Sequence, residues 1–214
     1  AKVYFYFKKG GFGRPFFVAV FSVNNRMQYD FIDVDGNYDL LYPYVKDQSL
    51  RRVIDVGAWW GPWSLWWHDK AQHLEIFEPN KQILPKLKNN IKDFTNCTLH
   101  ETALGDVKGN VSMECTDHTG TYHIKDTSGP ISLNTLDSYN FSCVDIIKID
   151  AEGYEIPVLQ GATNTIIKNK PWIQIEGNKS GERYGRTKLD IKNFLLNLGM
   201  KRVVKKWPDQ VWKF

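Results

Sequence analysis

Long apolar runs are missing from this chain. Nothing in it approaches the roughly 20 consecutive apolar residues that span a bilayer. The longest early run, Phe16 to Val23, is strand-length. It also lacks the basic start, apolar middle and small-residue cleavage site of a secretory leader. Cysteine is scarce. Cys97, Cys115 and Cys143 are an odd number at no metal-ligand spacing, which points to a reducing, cytoplasmic setting. A strong charge of one sign is missing as well. The formal net charge of +4 permits anionic partners without demanding them, so nothing calls for nucleic acid. Internal repeats, low-complexity tracts and long linkers are absent. What remains is a chain of one-domain size, with a core large enough to need no staples.

The informative stretch is Arg51 to Asn80, RRVIDVGAWWGPWSLWWHDKAQHLEIFEPN. Arg52 to Asp55 reads as a strand with a β-branched centre. Gly57 and Gly61 bracket a tight turn, with Ala58 and Trp59 between them, and Pro62 suits the first turn of a helix. Leu74 to Phe77 is a second strand, followed by Glu78 and Pro79. Ligands of open parallel sheets bind at the carboxyl ends of strands, so Asp55, the turn and Glu78 should line one crevice. A strand-end carboxylate is placed to accept two hydrogen bonds from a ribose diol. That much fits a nicotinamide cofactor too. The pattern D-x-G-x-x-x-G, however, lacks the third glycine of a dinucleotide fingerprint and puts an acid where a phosphate would be repelled. S-adenosylmethionine (SAM) has a ribose, an ammonium and a sulfonium, and no phosphate. The spacing therefore favours SAM over NAD.

DVGAWWGPWSLWW, FEPN, TALGD at 102–106 and IIKIDAEGYEIPVLQGA at 146–162 together resemble the FkbM family of class I SAM-dependent methyltransferases. The resemblance covers roughly residues 51–177. It implies an α/β, Rossmann-like fold: a seven-stranded, mostly parallel sheet of order 3-2-1-4-5-7-6, with helices on both faces. The strand–helix alternation argues for the same class independently. The family usually carries Asn where this chain has Trp59. The resemblance also places Ala103 to Asp106 beside the adenine ring, and it implies a hydroxyl acceptor on a small molecule or glycan. The Asn/Asp-Pro-Pro-aromatic motif of amino-methylating nucleic-acid enzymes is lacking.

Residues 1–36 read as an antiparallel β extension with a hairpin at Asn24-Asn25, and residues 37–214 as the methyltransferase domain. The extension either covers the main sheet or walls the substrate site. Helices are expected over Tyr38 to Lys46, Lys81 to Asp93, Ile156 to Lys168 and Thr187 to Asn197, and a closing hairpin around Pro208-Asp209. Cys115 to Gly129 is polar and reads as a long loop over the acceptor.

Several residues are candidates for chemistry. Asp55 either orients the glycine turn or reaches the SAM amino group. Trp59 and Trp60 lie in the turn, where an indole face near the sulfonium competes with ordinary packing. Trp63 with Trp66 or Trp67 follows helical spacing, which predicts burial. Methyl transfer requires the acceptor oxygen to be held about 3 Å from the methyl and relieved of its proton. Asp150 or Glu152 could be that base, as could His118 or His123. Alternation puts Lys148 and Asp150 on one side of their strand, so a structural ion pair is the competing reading. Lys148, His123, Glu176 and Asn178 are candidate acceptor contacts, and Asp150 also faces the cofactor. Cys115, His118 and His123 do not close a four-ligand set, so no metal site is expected. The rival function is a SAM-binding or interaction protein that kept the fold and lost catalysis.

Overall fold

The computed structural model describes the backbone of residues 2–9, 15–23 and 26–33, and backbone and side chains of residues 37–115 and 122–214. Strands β1 (Lys2–Lys9), β2 (Pro15–Val23) and β3 (Arg26–Asp33) pair antiparallel in chain order as a sheet of their own. The expected Asn24-Asn25 turn lies outside the described residues. After the short helix α1 (Tyr42–Val45) comes β4 (Leu50–Val56), then α2 (Pro62–Trp67), β5 (Ala71–Phe77), α3 (Leu84–Ile91) and β6 (Cys97–His100). Strands β7 (Ala103–Leu104), β8 (Gly109–Cys115) and β9 (Tyr122–Asn134) form a third sheet. The chain then runs through β10 (Val144–Ile149), α4 (Glu155–Gln160), α5 (Thr163–Asn169), β11 (Trp172–Glu176), α6 (Lys188–Asn197), β12 (Lys201–Lys206) and β13 (Asp209–Lys213).

The central sheet has the order β12-β13-β11-β10-β4-β5-β6. Its first five strands in the chain pair parallel, and β13 enters antiparallel to β11. This is the 3-2-1-4-5-7-6 order expected from the sequence. β4, β5, β10 and β11 bury apolar residues on both sides because helices cover both faces. Ile54, Ile147, Ile149, Ile173 and Ile175 pack against residues of α4, α5 and α6. Val53, Leu74, Ile76 and Ile146 pack on the other face against α1, α2 and α3, with Trp63 and Trp67 filling that layer. Trp67 therefore completes the buried pair, whereas Trp66 stays exposed.

Two expected elements differ. The helix read as continuous over Ile156 to Lys168 is divided into α4 and α5. Gly161 marks the break: a Cβ there would lie 1.9 Å from the Gly105 carbonyl oxygen, and its own carbonyl accepts the Asp137 N–H at 2.8 Å. The Asp137 carboxylate then accepts the N–H groups of Asn164 and Thr165, so α5 starts afresh. The described part of the polar stretch read as a loop is strand, since β8 ends at Cys115 and β9 takes residues 122–134 and pairs with it. A ribbon with one open face needs few apolar residues, and Val111, Ile124 and Leu133 supply them.

Candidate cofactor and active site

Parallel pairing sets the carboxyl ends of β5, β4, β10 and β11 side by side. Phe77 lies opposite Val56, Val56 opposite Ile149 and Ile149 opposite Ile175. Gly57, Glu78, Asp150 and Glu176 follow these four residues, and Asp55, Lys148 and Gln174 lie one row beneath them.

The turn after β4 bends through the left-handed region at Gly57 (φ 75°), Trp59 (φ 53°) and Gly61 (φ 86°). An Asn is tolerant of that conformation and a Trp is not, which gives position 59 a backbone meaning. The glycines answer to the fold itself. A Cβ on Gly57 would sit 1.8 Å from the Asp150 carbonyl oxygen, and one on Gly61 would sit 2.8 Å from Leu87 Cδ1. The turn's amides point inward. Gly57 and Ala58 both donate to the Phe77 carbonyl at 3.1 Å, Gly61 donates to Ala58 at 2.8 Å, and Trp59 donates to Glu78 Oε2 at 2.8 Å. A phosphate cradle needs such amides free. The Ala58 methyl is buried in the core, and Trp59 stacks on Trp60 with ring centroids 4.2 Å apart.

Glu78 is 6% exposed at the tip of β5. Its Oε1 accepts the Asn80 N–H at 2.8 Å, so the carboxylate bridges two loops across half-buried Pro79. Burial pushes its pKa up to about 7, against the pull of the two amides. Each carboxylate oxygen keeps a further lone pair for a diol. Asp55 is fully buried and accepts from Ser64 Oγ at 2.7 Å, which ties α2 to β4. Its Oδ1 lies 3.2 Å from Lys148 Nζ. These contacts join α2 and β10 to β4 at Asp55, whose side chain has no exposed surface.

Lys148 was a candidate acceptor contact, yet its ammonium is directed into the protein. Nζ donates to the Gly57 carbonyl at 2.8 Å and lies 3.6 Å from Asp150 Oδ2. Asp55, Lys148 and Gln174 are opposed across three strands, forming a buried polar row. Burial opposes the lysine's charge, but Asp55 and Asp150 more than offset it and raise its pKa.

Beyond that row lie the acids. The Asp150 side chain is 40% exposed. Glu152 is half-buried with φ 51°, a second left-handed residue without a glycine's freedom. Burial, with the charges of Asp150 and Glu155, pushes it up to about 8. Glu155 accepts the N–H groups of Ala151 and Gly153, each at 3.0 Å, and burial lifts it to about 7. Glu176 is raised further by burial and the neighbouring carboxylates. Asp150, Glu155 and Glu176 each bring an oxygen within 4.8 Å of the others, the grouping among the described residues whose chemistry would accept a hard cation. It includes neither Cys115 nor His123.

The remaining candidates scatter. Ala103 is buried in β7, and Asp106 is exposed beyond it, close enough for its charge to add to burial in raising the pKa of Tyr154. Asn178 caps its own turn, Oδ1 accepting the Ser180 N–H at 2.6 Å. His123 is buried on β9, 3.4 Å from Glu114, its pKa lowered by burial and by Arg183. His118 lies outside the described residues. Four neighbours had no sequence signal. Ser64 and Gln174 read as ordinary helix and strand residues. Arg183 arrives on a 3-10 turn, and its charge is felt by both Glu152 and His123. Asp209 faces Glu176 only through the β11–β13 register.

A family model described as "Methyltransferase FkbM domain" matches residues 55–201. None of the curated proteins matches the chain. Among solved structures, a methyltransferase FkbM from Methylobacillus flagellatus superposes with a TM-score of 0.58 at 20% identity, over 83% of this chain and 48% of that one. This chain thus spans about half the length of that relative. SMU.1697c of Streptococcus mutans, in complex with S-adenosylhomocysteine (SAH), gives a TM-score of 0.52 at 13% identity, over 82% of this chain and 97% of that one. At these identities the structures share a fold. Among the described residues, no helix is long and apolar enough to cross a membrane.

Proposed function

The chain belongs to the methyltransferase FkbM domain family, and from that premise we propose that it is a SAM-dependent O-methyltransferase acting on a hydroxyl of a small molecule or glycan. The observation that carries the cofactor half is Glu78. It is a buried strand-end carboxylate that holds the turn after β4 through the Trp59 amide and keeps lone pairs for a ribose diol. The donor set supports the same reading. Glu78 and Asp150 lie at the crevice, and Lys148 is committed to the interior with Asp55, so a cationic ligand fits and a pyrophosphate does not. When bound, SAM supplies an electrophilic methyl group on a sulfonium.

The protein's own part is positional and acid–base. Asp150 and Glu152 follow β10, beside the β4 turn, where an acceptor would meet the methyl. One of them accepts the hydroxyl proton as the acceptor oxygen bonds to the methyl carbon and the carbon–sulfur bond breaks. With a value near 8, Glu152 can hold that proton and release it again at mildly alkaline pH. Glu176, which ends β11, and Asn178, two residues beyond it, flank the same opening. Residues 1–36 are proposed as a separate extension and residues 37–214 as the catalytic domain.

The test is calorimetric titration of SAM, SAH and NAD, followed by incubation with methyl-labelled SAM and a panel of sugar and phenolic hydroxyl acceptors. Binding of SAM and SAH but not NAD, with label transferred to one acceptor class, is the expected result. Absence of SAM binding at millimolar concentration would overturn the reading. A fold-retaining binding protein is the second reading, favoured by the left-handed Trp59 in the cofactor turn. Tight SAM binding without turnover on any acceptor distinguishes it.

A further inference from the structure

We propose that Lys148 is a positioning residue that locks the cofactor turn after β4 to the acceptor-side loop after β10. The inference deepens the methyltransferase reading and rests on it for its functional meaning. Its evidence is geometric. An ammonium has three N–H donors and no acceptor. Here one N–H donates to the Gly57 carbonyl at 2.8 Å, and the ammonium is ion-paired with Asp55 Oδ1 on β4 at 3.2 Å and with Asp150 Oδ2 after β10 at 3.6 Å. The residue is 8% exposed and lies beneath the crevice, so it cannot reach an acceptor without abandoning these contacts.

The two loops are also pressed together above it. Asp150 donates its N–H to the Val56 carbonyl at 3.0 Å, and the Gly57 Cα side faces the Asp150 carbonyl with no room for a Cβ. Packing alone sets how close the loops come. It does not set how the Gly57 peptide is rotated, because a peptide plane can tilt while its Cα stays in place. The bond from Nζ to the Gly57 carbonyl holds that tilt from one edge of the plane, opposite the Ala58 N–H bond to Phe77 at the other. The tilt in turn aims the next amides, Ala58 at Phe77 and Trp59 at Glu78. Lys148 therefore acts on the cofactor through the orientation of the turn and of Glu78, without touching it.

Removing the ammonium alone would leave Asp55 charged, buried and unpaired, which is expected to unfold the site for unrelated reasons. The test therefore uses the double variant Asp55→Asn, Lys148→Met, which keeps volume, removes both charges and leaves an oxygen for Ser64. Lys148→Arg serves as the conservative control. The first readout needs no ligand: hydrogen exchange at the Gly57, Ala58 and Trp59 amides of the full chain. The double variant should exchange these at least about tenfold faster while amides of the β10–β11 ladder stay within about threefold, and Lys148→Arg should remain slow. SAM affinity should fall about tenfold in the double variant and partly return in Lys148→Arg. Unchanged exchange at the three turn amides in the folded double variant overturns the inference, whatever SAM does. If the wild-type chain fails to bind SAM, the exchange readout still decides the role of Lys148, and it is the methyltransferase reading that fails.

Discussion

Glu78→Gln is the perturbation that bears most directly on the cofactor. Gln keeps the shape of Glu but replaces one acceptor oxygen with a donor. Both Glu78 oxygens already accept a backbone N–H, from Trp59 and from Asn80 at 2.8 Å each. Whichever way the amide turns, one backbone donor then faces another donor. A buried donor without a partner costs about 1–3 kcal/mol, and a hydrogen bond to a charged acceptor is worth about 1 kcal/mol more than one to a neutral acceptor. Two ribose hydroxyls bonding to Gln rather than to a carboxylate would lose about 2 kcal/mol together, and a disordered turn adds to that. The expected loss of SAM affinity is therefore about 3 kcal/mol, or roughly a hundredfold in Kd. Calorimetry should be run at pH 8, above the value near 7 at which Glu78 ionises, so that the wild-type carboxylate is charged. SAH carries the same ribose and should lose as much. A folded Glu78→Gln protein that binds SAM within about threefold of wild type would refute the placement of the ribose.

Gly57→Ala should abolish SAM binding and lower Tm, since its Cβ meets the Asp150 carbonyl at φ 75° and overpacking alone costs about 1–3 kcal/mol; a soluble variant with wild-type Tm would count against that packing. Trp59→Asn relieves about 1–2 kcal/mol of left-handed strain and gives up a stack worth about 0.5–1.5 kcal/mol, so denaturant unfolding should show a net change within about 1 kcal/mol and SAM affinity should hold within about threefold. Turnover should rise with pH through about 8 if Glu152 takes the proton, and Glu152→Gln should flatten that rise. Stability of the ligand-free protein should move the other way. Glu78 and Glu155 have folded values raised to about 7 from an ordinary 4.5, so the folded state holds more protons than the unfolded chain between these values. Their contribution is full below about pH 4.5 and is lost as pH rises through 7, which a series of thermal melts from pH 5 to 8 would register.

The sequence by itself determined the sheet and the crevice. Runs rich in β-branched residues at 52–56, 146–149 and 172–176, each followed by a helical period, can bury both faces only between helix layers. An acid after β5 and a glycine pair after β4 then meet wherever such strands lie parallel, because register carries strand ends to one edge. Tertiary structure alone decided what those residues touch. Gly57 is dictated by the Asp150 carbonyl, 93 residues along the chain, and Gly61 by Leu87 on α3. Position 59 requires a left-handed backbone that no local pattern announces in a Trp. Lys148 points at Asp55 and Gly57 because β10 docks beside β4 in one register; a shift of one residue would turn it to the opposite face. The polar residues from Tyr122 to Gly129 become strand only when β8 pairs with β9. Asp209 joins the acids of β10 and β11 because the terminal hairpin folds back antiparallel beside Glu176. Periodicity reports which face of an element is buried. Partners distant in sequence are chosen by strand order and register, which local composition does not encode.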